Sequence, residues 1–127
     1  LRLPEGEASV SGALYAPRQG LLFAGDNVYN GAYLWLAECK LDGWAQNIAT
    51  LRALQPLAQI YPGHGPAPAT ATVFDENLAY LREVPPILNA APDAPQAIAR
   101  VKQRYPAYTG AGLLENSTPG YLSACKR

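Results

Sequence analysis

Residues 21–24, Leu-Leu-Phe-Ala, are the feature that most limits what this chain can fold into. Four consecutive apolar residues between turn sequences predict a short strand that is covered on both faces. Residues 17–20 predict the turn before it, because Pro17 presets its own φ and Gly20 accepts a positive φ. We therefore expect residues 9–16 to form a hairpin with this strand, and residues 25–27, Gly-Asp-Asn, to end it in a second turn.

A helical pattern follows the hairpin. Trp44, Ile48 and Leu51 repeat at i, i+4 and i+7, which predicts one buried face of a helix. Asp42 is its expected N-cap, and Pro56 closes it.

Strand and helix patterns continue to alternate after this helix. Residues 57–61 predict a second strand, which ends at Pro-Gly-His-Gly-Pro, residues 62–66. A second helix is expected from a capping box at Thr72 and is stopped or kinked at residues 85–86, Pro-Pro. Asp93 is expected to cap a third helix, and the glycine- and proline-containing residues 106–127 read as irregular. The alternation predicts an α/β chain of layered architecture.

The composition of the chain excludes some classes of function. The 127 residues include ten basic and ten acidic side chains, so a formal charge of zero removes the electrostatic case for nucleic acid or an anionic membrane surface. No apolar run approaches the ~20 residues of a spanning helix. Because the chain opens at Leu1 and contains no methionine, we expect a segment of a longer protein or a chain trimmed at a linker. Cys39 and Cys125 are either two free thiols or one long-range bridge.

Two positions combine a strand end, a glycine turn and a side chain that can bind metal. Asp26 directly follows the apolar run, and His64 is the only histidine of the chain. Strand ends are where α/β folds bind ligands, and glycines on both sides of His64 allow a tight backbone that aims its imidazole. The alternatives are a structural hydrogen bond for His64 and simple turn formation for Asp26.

Asp26 and His64, with their surroundings, resemble the metallo-β-lactamase fold superfamily. The similarity covers about residues 7–84 and lies in LLFAGDNVYNGAYLWL, a tryptophan-bearing helix, and a short strand leading into YPGHG. In that superfamily the aspartate of Gly-Asp bridges two metal ions, and the histidine of Pro-Gly-His-Gly is the last histidine ligand. The resemblance therefore implies metal ligands at Asp26 and His64, which are 38 residues apart with one helix between them.

The resemblance also implies that a partner half is needed. The upstream motif of the superfamily, His-x-His-x-Asp-His, is absent because His64 is the only histidine. That motif belongs to the first half of an αββα sandwich with a mixed sheet and flanking helices, so this chain looks like the C-terminal half. Residues 1–127 then form one partial domain, with the core motifs in residues 7–84 and a helical and irregular tail in residues 85–127.

Glu7 is a third candidate ligand. It stands where most members have a further histidine, and the alkylsulfatase branch has a glutamate ligand there. Glu7-Ala8 and residues 15–17, Tyr-Ala-Pro, are similar to that branch, although its bridging ligand is a glutamate and here the position holds Asp26. On a straight strand Glu7 would lie roughly 13 Å from Asp26, so a bend or bulge is required. The alternative is an exposed glutamate in a polar turn.

The resemblance implies two zinc ions in the complete protein, with other divalent transition metals also possible. Zinc accepts imidazole and carboxylate, and a water shared by two ions becomes hydroxide near neutral pH. Tyr29, Asn30 and Tyr33 follow Asp26 and could line a substrate pocket, although packing and turn formation explain them as well.

The sequence thus predicts a metal-dependent hydrolase that acts on an ester-, lactam- or sulfate-type bond of a small-molecule substrate. The alternative is a non-catalytic structural or interaction module that lacks the upstream metal motif. The expected partner is the upstream half of the same protein or a second copy, with neither nucleic acid nor membrane. Because the chain carries only part of the site, we expect it to be inactive by itself.

Overall fold

The computed structural model describes residues 1–126 and shows a mixed α/β domain. Within that range it has a two-stranded sheet, a three-stranded sheet and four helices. No helix within the described residues is both long and apolar enough to cross a membrane. The elements in chain order are β1 (Arg2–Leu3), β2 (Ser11–Gly12), β3 (Leu14–Ala16), β4 (Leu21–Tyr29), α1 (Leu41–Arg52), β5 (Gln59–His64), α2 (Thr72–Ala90), α3 (Ala94–Arg104) and α4 (Ala111–Ala124).

The three-stranded sheet has the order β3-β4-β5. The predicted hairpin is confirmed, because β3 runs antiparallel to β4 and Ala16 pairs with Leu21. The predicted turn at residues 25–27 is wrong, since β4 continues to Tyr29. The parallel strand β5 explains the extension: it pairs with β4 as far as Tyr29 and His64, while two register shifts on either side of Gly25 absorb the irregular backbone.

The first strand of the predicted hairpin is broken in two. Residues 14–16 stay with β4, whereas Ser11 and Gly12 pair with β1 at the start of the chain. Residues 4–10 between β1 and β2 therefore form a loop, which we call the Glu7 loop. This break supplies the bend that a straight hairpin strand lacks.

The helices α1 and α2 pack against one face of the sheet. The predicted face of α1 is confirmed, because Trp44, Ile48 and Leu51 are buried. The cap is placed differently, since α1 begins at Leu41 and Asp42 lies inside its first turn. Asp93 does cap α3, accepting a hydrogen bond from the backbone N–H of Gln96 at 2.9 Å.

Three predictions about the second half of the chain are corrected. The predicted stop at Pro85 and Pro86 is wrong, because α2 continues through both prolines to Ala90. The capping box is also wrong, because Ala71 is the N-cap. The expected irregular tail contains a 14-residue helix, α4. In both helices burial offsets poor helix propensity. Val84 and Leu88 are buried on either side of the prolines in α2, and Leu114 and Tyr121 are buried in α4.

A disulfide joins α4 to the loop before α1. Cys39 and Cys125 are bonded, with their Cα atoms 5.6 Å apart, which is an ordinary separation for a disulfide. The bridge spans 86 residues and decides between the two alternatives that the sequence left open. Beside it, Gly120 packs so closely against Ala37 that an added Cβ would lie 2.9 Å from the Ala37 Cβ.

The other face of the three-stranded sheet is exposed within the described residues. Leu14 and Phe23 are paired across β3 and β4 and are 66% and 42% exposed. Phe23 stacks on Tyr61 of β5, with ring centroids 4.8 Å apart. The prediction that both faces of residues 21–24 are covered is therefore wrong for this chain, because the helices of residues 1–126 cover only the face of Leu22 and Ala24. We call the row formed by the exposed Leu14 and Phe23 and the partly exposed Tyr61 the apolar sheet face.

Candidate metal centre

Asp26 and His64 lie side by side where β4 and β5 end. Because the two strands are parallel neighbours, their carboxyl ends meet at one edge of the sheet. The Oδ1 atom of Asp26 is 3.3 Å from the Nε2 atom of His64, and both side chains are partly open to solvent. The two residues that the sequence singled out are thus brought together.

Two glycines make this approach possible. A Cβ atom added at Gly63 would collide with Asp26 Oδ1 and with the backbone of Gly25. A Cβ added at Gly65 would collide with the backbone of Asn30, and Gly65 has a φ of +91°, which side chains rarely adopt. The glycines on both sides of His64 therefore let β5 press against the end of β4.

Hydrogen bonds fasten residues 64–66, which we call the His64 loop, to the end of β4. The backbone N–H of Asn30 donates to the carbonyl of His64 at 2.9 Å, and the Asn30 side chain donates to the carbonyl of Pro66 at 2.8 Å. The ring of Tyr29 packs against the imidazole, with centroids 4.5 Å apart. The imidazole is thereby held from the backbone and from one ring face.

Asn77 on α2 fixes the end of β4, and the sequence analysis missed it. Its Oδ1 accepts from the Tyr29 backbone N–H at 2.9 Å, and its Nδ2 donates to the Tyr29 carbonyl at 2.7 Å. The only sequence signal is an asparagine on the apolar face of a helix, three residues after Phe74. Such a buried amide needs partners, and here it finds them in the strand backbone.

Glu7 reaches the same edge of the sheet through the Glu7 loop. Asn47 on α1 holds this loop, because its Nδ2 donates to the carbonyl of Pro4 at 2.9 Å. Lys40 adds an ion pair with Glu5 at 3.5 Å. Glu7 and Asp26 then lie on the wall of one cavity of about 260 Å³, which residues 8, 10–12 and 27 complete.

The electrostatics of Glu7 suit a bound cation. Burial, followed by the negative charge of Asp26, raises the pKa of Glu7 to about 7. Its Oε2 atom is buried and finds no hydrogen-bond partner among residues 1–126. A cation near Asp26 would remove the repulsion between the two carboxylates and supply a partner for the orphaned oxygen. The donor set of two carboxylates and an imidazole is one that zinc accepts.

The described part of the chain does not form a finished metal site. No group of three or more His, Cys, Asp or Glu side chains within residues 1–126 is arranged to hold a metal ion. The candidate pocket residues also have packing roles. Tyr29 is buried, Asn30 holds the His64 loop, and the Tyr33 hydroxyl donates to the carbonyl of Tyr105 at 2.7 Å.

Comparisons with known proteins do not assign this chain to a family. No protein-family model and no curated protein matches its sequence.

Proposed function

We propose that this chain is the C-terminal half of a metal-dependent hydrolase of the metallo-β-lactamase type, with an αββα sandwich as its complete fold. The observation that carries the proposal is the 3.3 Å approach of Asp26 to His64 at the ends of two parallel strands. It is supported by Glu7, a partly buried carboxylate that a separate loop brings beside Asp26.

Each residue has a role that its chemistry allows. Asp26 would hold metal through its carboxylate oxygens, while His64 would offer a nitrogen of a ring that is held by Tyr29 and the Asn30 contacts. Glu7 offers a further carboxylate oxygen. Two zinc ions, or other divalent transition metals, would supply a water that ionises near neutral pH and attacks an ester-, lactam- or sulfate-type bond of a small molecule.

The proposal includes a partner. A catalytic zinc typically has three protein ligands of its own, so two ions need more ligands than Asp26, His64 and Glu7 supply. The apolar sheet face is a surface of the kind that another protein segment covers. We propose that the upstream half of the same protein, or a second copy, covers this face and adds the missing ligands. We call the assembled form the complete protein.

A second candidate function is a non-catalytic structural or interaction module. The observation that favours it is that residues 1–126 lack a three-ligand group while they expose an apolar sheet face. Under this alternative Asp26 and His64 are a surface pair, and the sheet face is the functional surface. Metal content separates the two functions.

The test is metal analysis of the complete protein and its variants. We expect two zinc ions in the wild type, and Asp26→Ala should lose more metal than any nearby carboxylate change because it removes a ligand from both ions. His64→Ala should weaken the binding of one of the two zinc ions. Glu5→Ala is the matched control, since Glu5 is an exposed carboxylate of the same loop and pairs with Lys40. Wild-type metal content in both Asp26→Ala and His64→Ala would favour the module.

A further inference from the structure

The hydroxyl group of Tyr29 is a buried polar group that the packing does not explain. The residue is only 1% exposed, and its hydroxyl has no hydrogen-bond partner within the described range. Burying a hydroxyl without a partner costs free energy, and phenylalanine would fill the same space without that cost. The hydroxyl of Tyr29 therefore indicates a role for this residue besides packing.

The hydroxyl lies beside the candidate ligands. The ring of Tyr29 packs on His64 with centroids 4.5 Å apart, and His64 lies 3.3 Å from Asp26. Asp26 and Glu7 in turn line one cavity, and burial followed by the charges of these two carboxylates raises the pKa of Tyr29. Two buried polar atoms of residues 1–126 that lack partners, the Tyr29 hydroxyl and Glu7 Oε2, thus belong to neighbouring side chains.

Three side chains hold Tyr29 in place. Asn77 binds its backbone N–H and carbonyl, His64 packs on its ring, and Trp44 lies at a centroid distance of 5.7 Å. Glu7, in contrast, sits on a loop. Of the two neighbours, Tyr29 is therefore the one that can orient the other.

We infer that Tyr29 is a positioning residue for Glu7: once a cation binds, the Tyr29 hydroxyl donates a hydrogen bond to one carboxylate oxygen and leaves the other oxygen free to hold the cation. This inference rests on the proposed function, because it assumes that Glu7 is a ligand. Tyr29 itself touches neither metal nor substrate in this arrangement. A partner that donates to a ligating side chain fixes its orientation and typically changes metal affinity by about 10–100-fold.

Tyr80 provides a matched control. It too is fully buried, with a hydroxyl that lacks a partner among residues 1–126. Its neighbours are aromatic, with the rings of Tyr105 and Tyr108 at 5.2 and 6.1 Å, rather than carboxylates of the candidate site. Tyr29→Phe and Tyr80→Phe therefore make the same chemical change in two different environments.

The experiment measures the zinc affinity of the complete protein by competition with a chromophoric chelator, and the urea unfolding of the 127-residue chain without metal. Zinc alone is the probe, because under the proposed function Asp26, His64 and Glu7 hold zinc together with the ligands that the partner adds. Tyr29→Phe should weaken zinc binding about 10–100-fold, while Tyr80→Phe leaves it unchanged. Neither should lower the free energy of unfolding, because neither removes a hydrogen bond of the metal-free chain.

A double-mutant cycle with Glu7→Gln tests the route of the effect. If Tyr29 acts through Glu7, Tyr29→Phe should change zinc affinity little in the Glu7→Gln background. An undiminished effect there would overturn the inference, because Tyr29 would then act by a route other than Glu7. Wild-type zinc affinity in Tyr29→Phe, together with its loss in Asp26→Ala, would overturn the role of Tyr29 alone. Wild-type affinity in Asp26→Ala, or a complete wild-type protein that binds no zinc, would overturn the proposed function as well.

Discussion

At the scale of single residues, the candidate site depends on neighbours that are distant in sequence. Asp26 meets His64 because Gly63 leaves room for its carboxylate, and Glu7 meets Asp26 because Asn47 holds the Glu7 loop. The type of each side chain indicates its chemistry, whereas its environment sets its charge. Glu7 illustrates this best, since burial and a neighbouring carboxylate bring its pKa to about 7.

The raised pKa of Glu7 predicts a pH dependence of stability in the metal-free chain. An unfolded glutamate has a pKa of about 4.3, so the folded state binds the proton more tightly. The resulting stabilisation is fully present below the unfolded pKa and is lost as the pH rises through about 7. Glu7→Gln should abolish this loss and be more stable than the wild type at pH 8.

Urea denaturation in a metal chelator at pH 4, 6 and 8 checks this prediction. Glu5→Gln is the control, because Glu5 lies on the same loop but is exposed. The interpretation of Glu7 as a buried carboxylate fails if the wild type and Glu7→Gln show the same change of stability between pH 4 and 8.

At the scale of secondary-structure elements, the site is built on the unit β4–β5–α2. The two parallel strands place Asp26 and His64 at one edge of the sheet, and α2 fixes the last residue of β4 through Asn77. The glycine loops beside this unit can therefore be irregular without moving the site. We expect the stability of the strand end to depend on one buried amide.

Asn77→Leu should lower the free energy of unfolding by roughly 2–5 kcal/mol, because it leaves the Tyr29 N–H and carbonyl buried without partners. The matched control is Asn116→Leu, at an exposed position of α4, where a change within about ±0.5 kcal/mol is expected. Urea denaturation followed by far-ultraviolet circular dichroism measures both. Equal effects in the two variants would show that the Asn77 contacts contribute little.

At the scale of the whole molecule, one layer of helices covers one face of a small sheet. The opposite face exposes Leu14 and Phe23. An exposed apolar face of this kind marks a surface that another protein segment covers. The candidate metal centre lies at the edge of the same sheet. Covering the apolar face and completing the metal centre would therefore take place in one association event.

The 127-residue chain should consequently self-associate and be hydrolytically inert when purified alone. Leu14→Lys/Phe23→Lys should make it monomeric, because two ammonium groups would have to be desolvated at the contact. Ala99→Lys, at an exposed site of α3, is the charge control and should leave self-association unchanged. Light scattering and an ester hydrolysis assay with excess zinc are the measurements. A monomeric wild-type chain that hydrolyses esters as fast as the complete protein would contradict the half-domain proposal.

Local features of this chain were predictable from its sequence. The pairing of Ala16 with Leu21, the buried face of α1 and the cap at Asp93 each depend on residues a few positions apart, so turn chemistry, periodicity and capping suffice. The choice of Asp26 and His64 as neighbours came from a resemblance in motif and spacing. The structure places them 3.3 Å apart.

The remaining features were decided by tertiary contacts. The strand partner β5 carries β4 past Gly25, and burial of Leu114 and Tyr121 makes a helix of a segment rich in glycine. Three further features also join residues far apart in the chain. They are the Cys39–Cys125 disulfide, the hydrogen bonds between Asn77 and Tyr29, and the cavity that Glu7 shares with Asp26. Sequence alone determined the turn between β3 and β4, the buried face of α1 and the cap of α3, because those preferences are local. Tertiary structure decided where the strands and helices end and which side chains meet, because burial and hydrogen bonding across the fold outweigh local preferences of about 1 kcal/mol per residue.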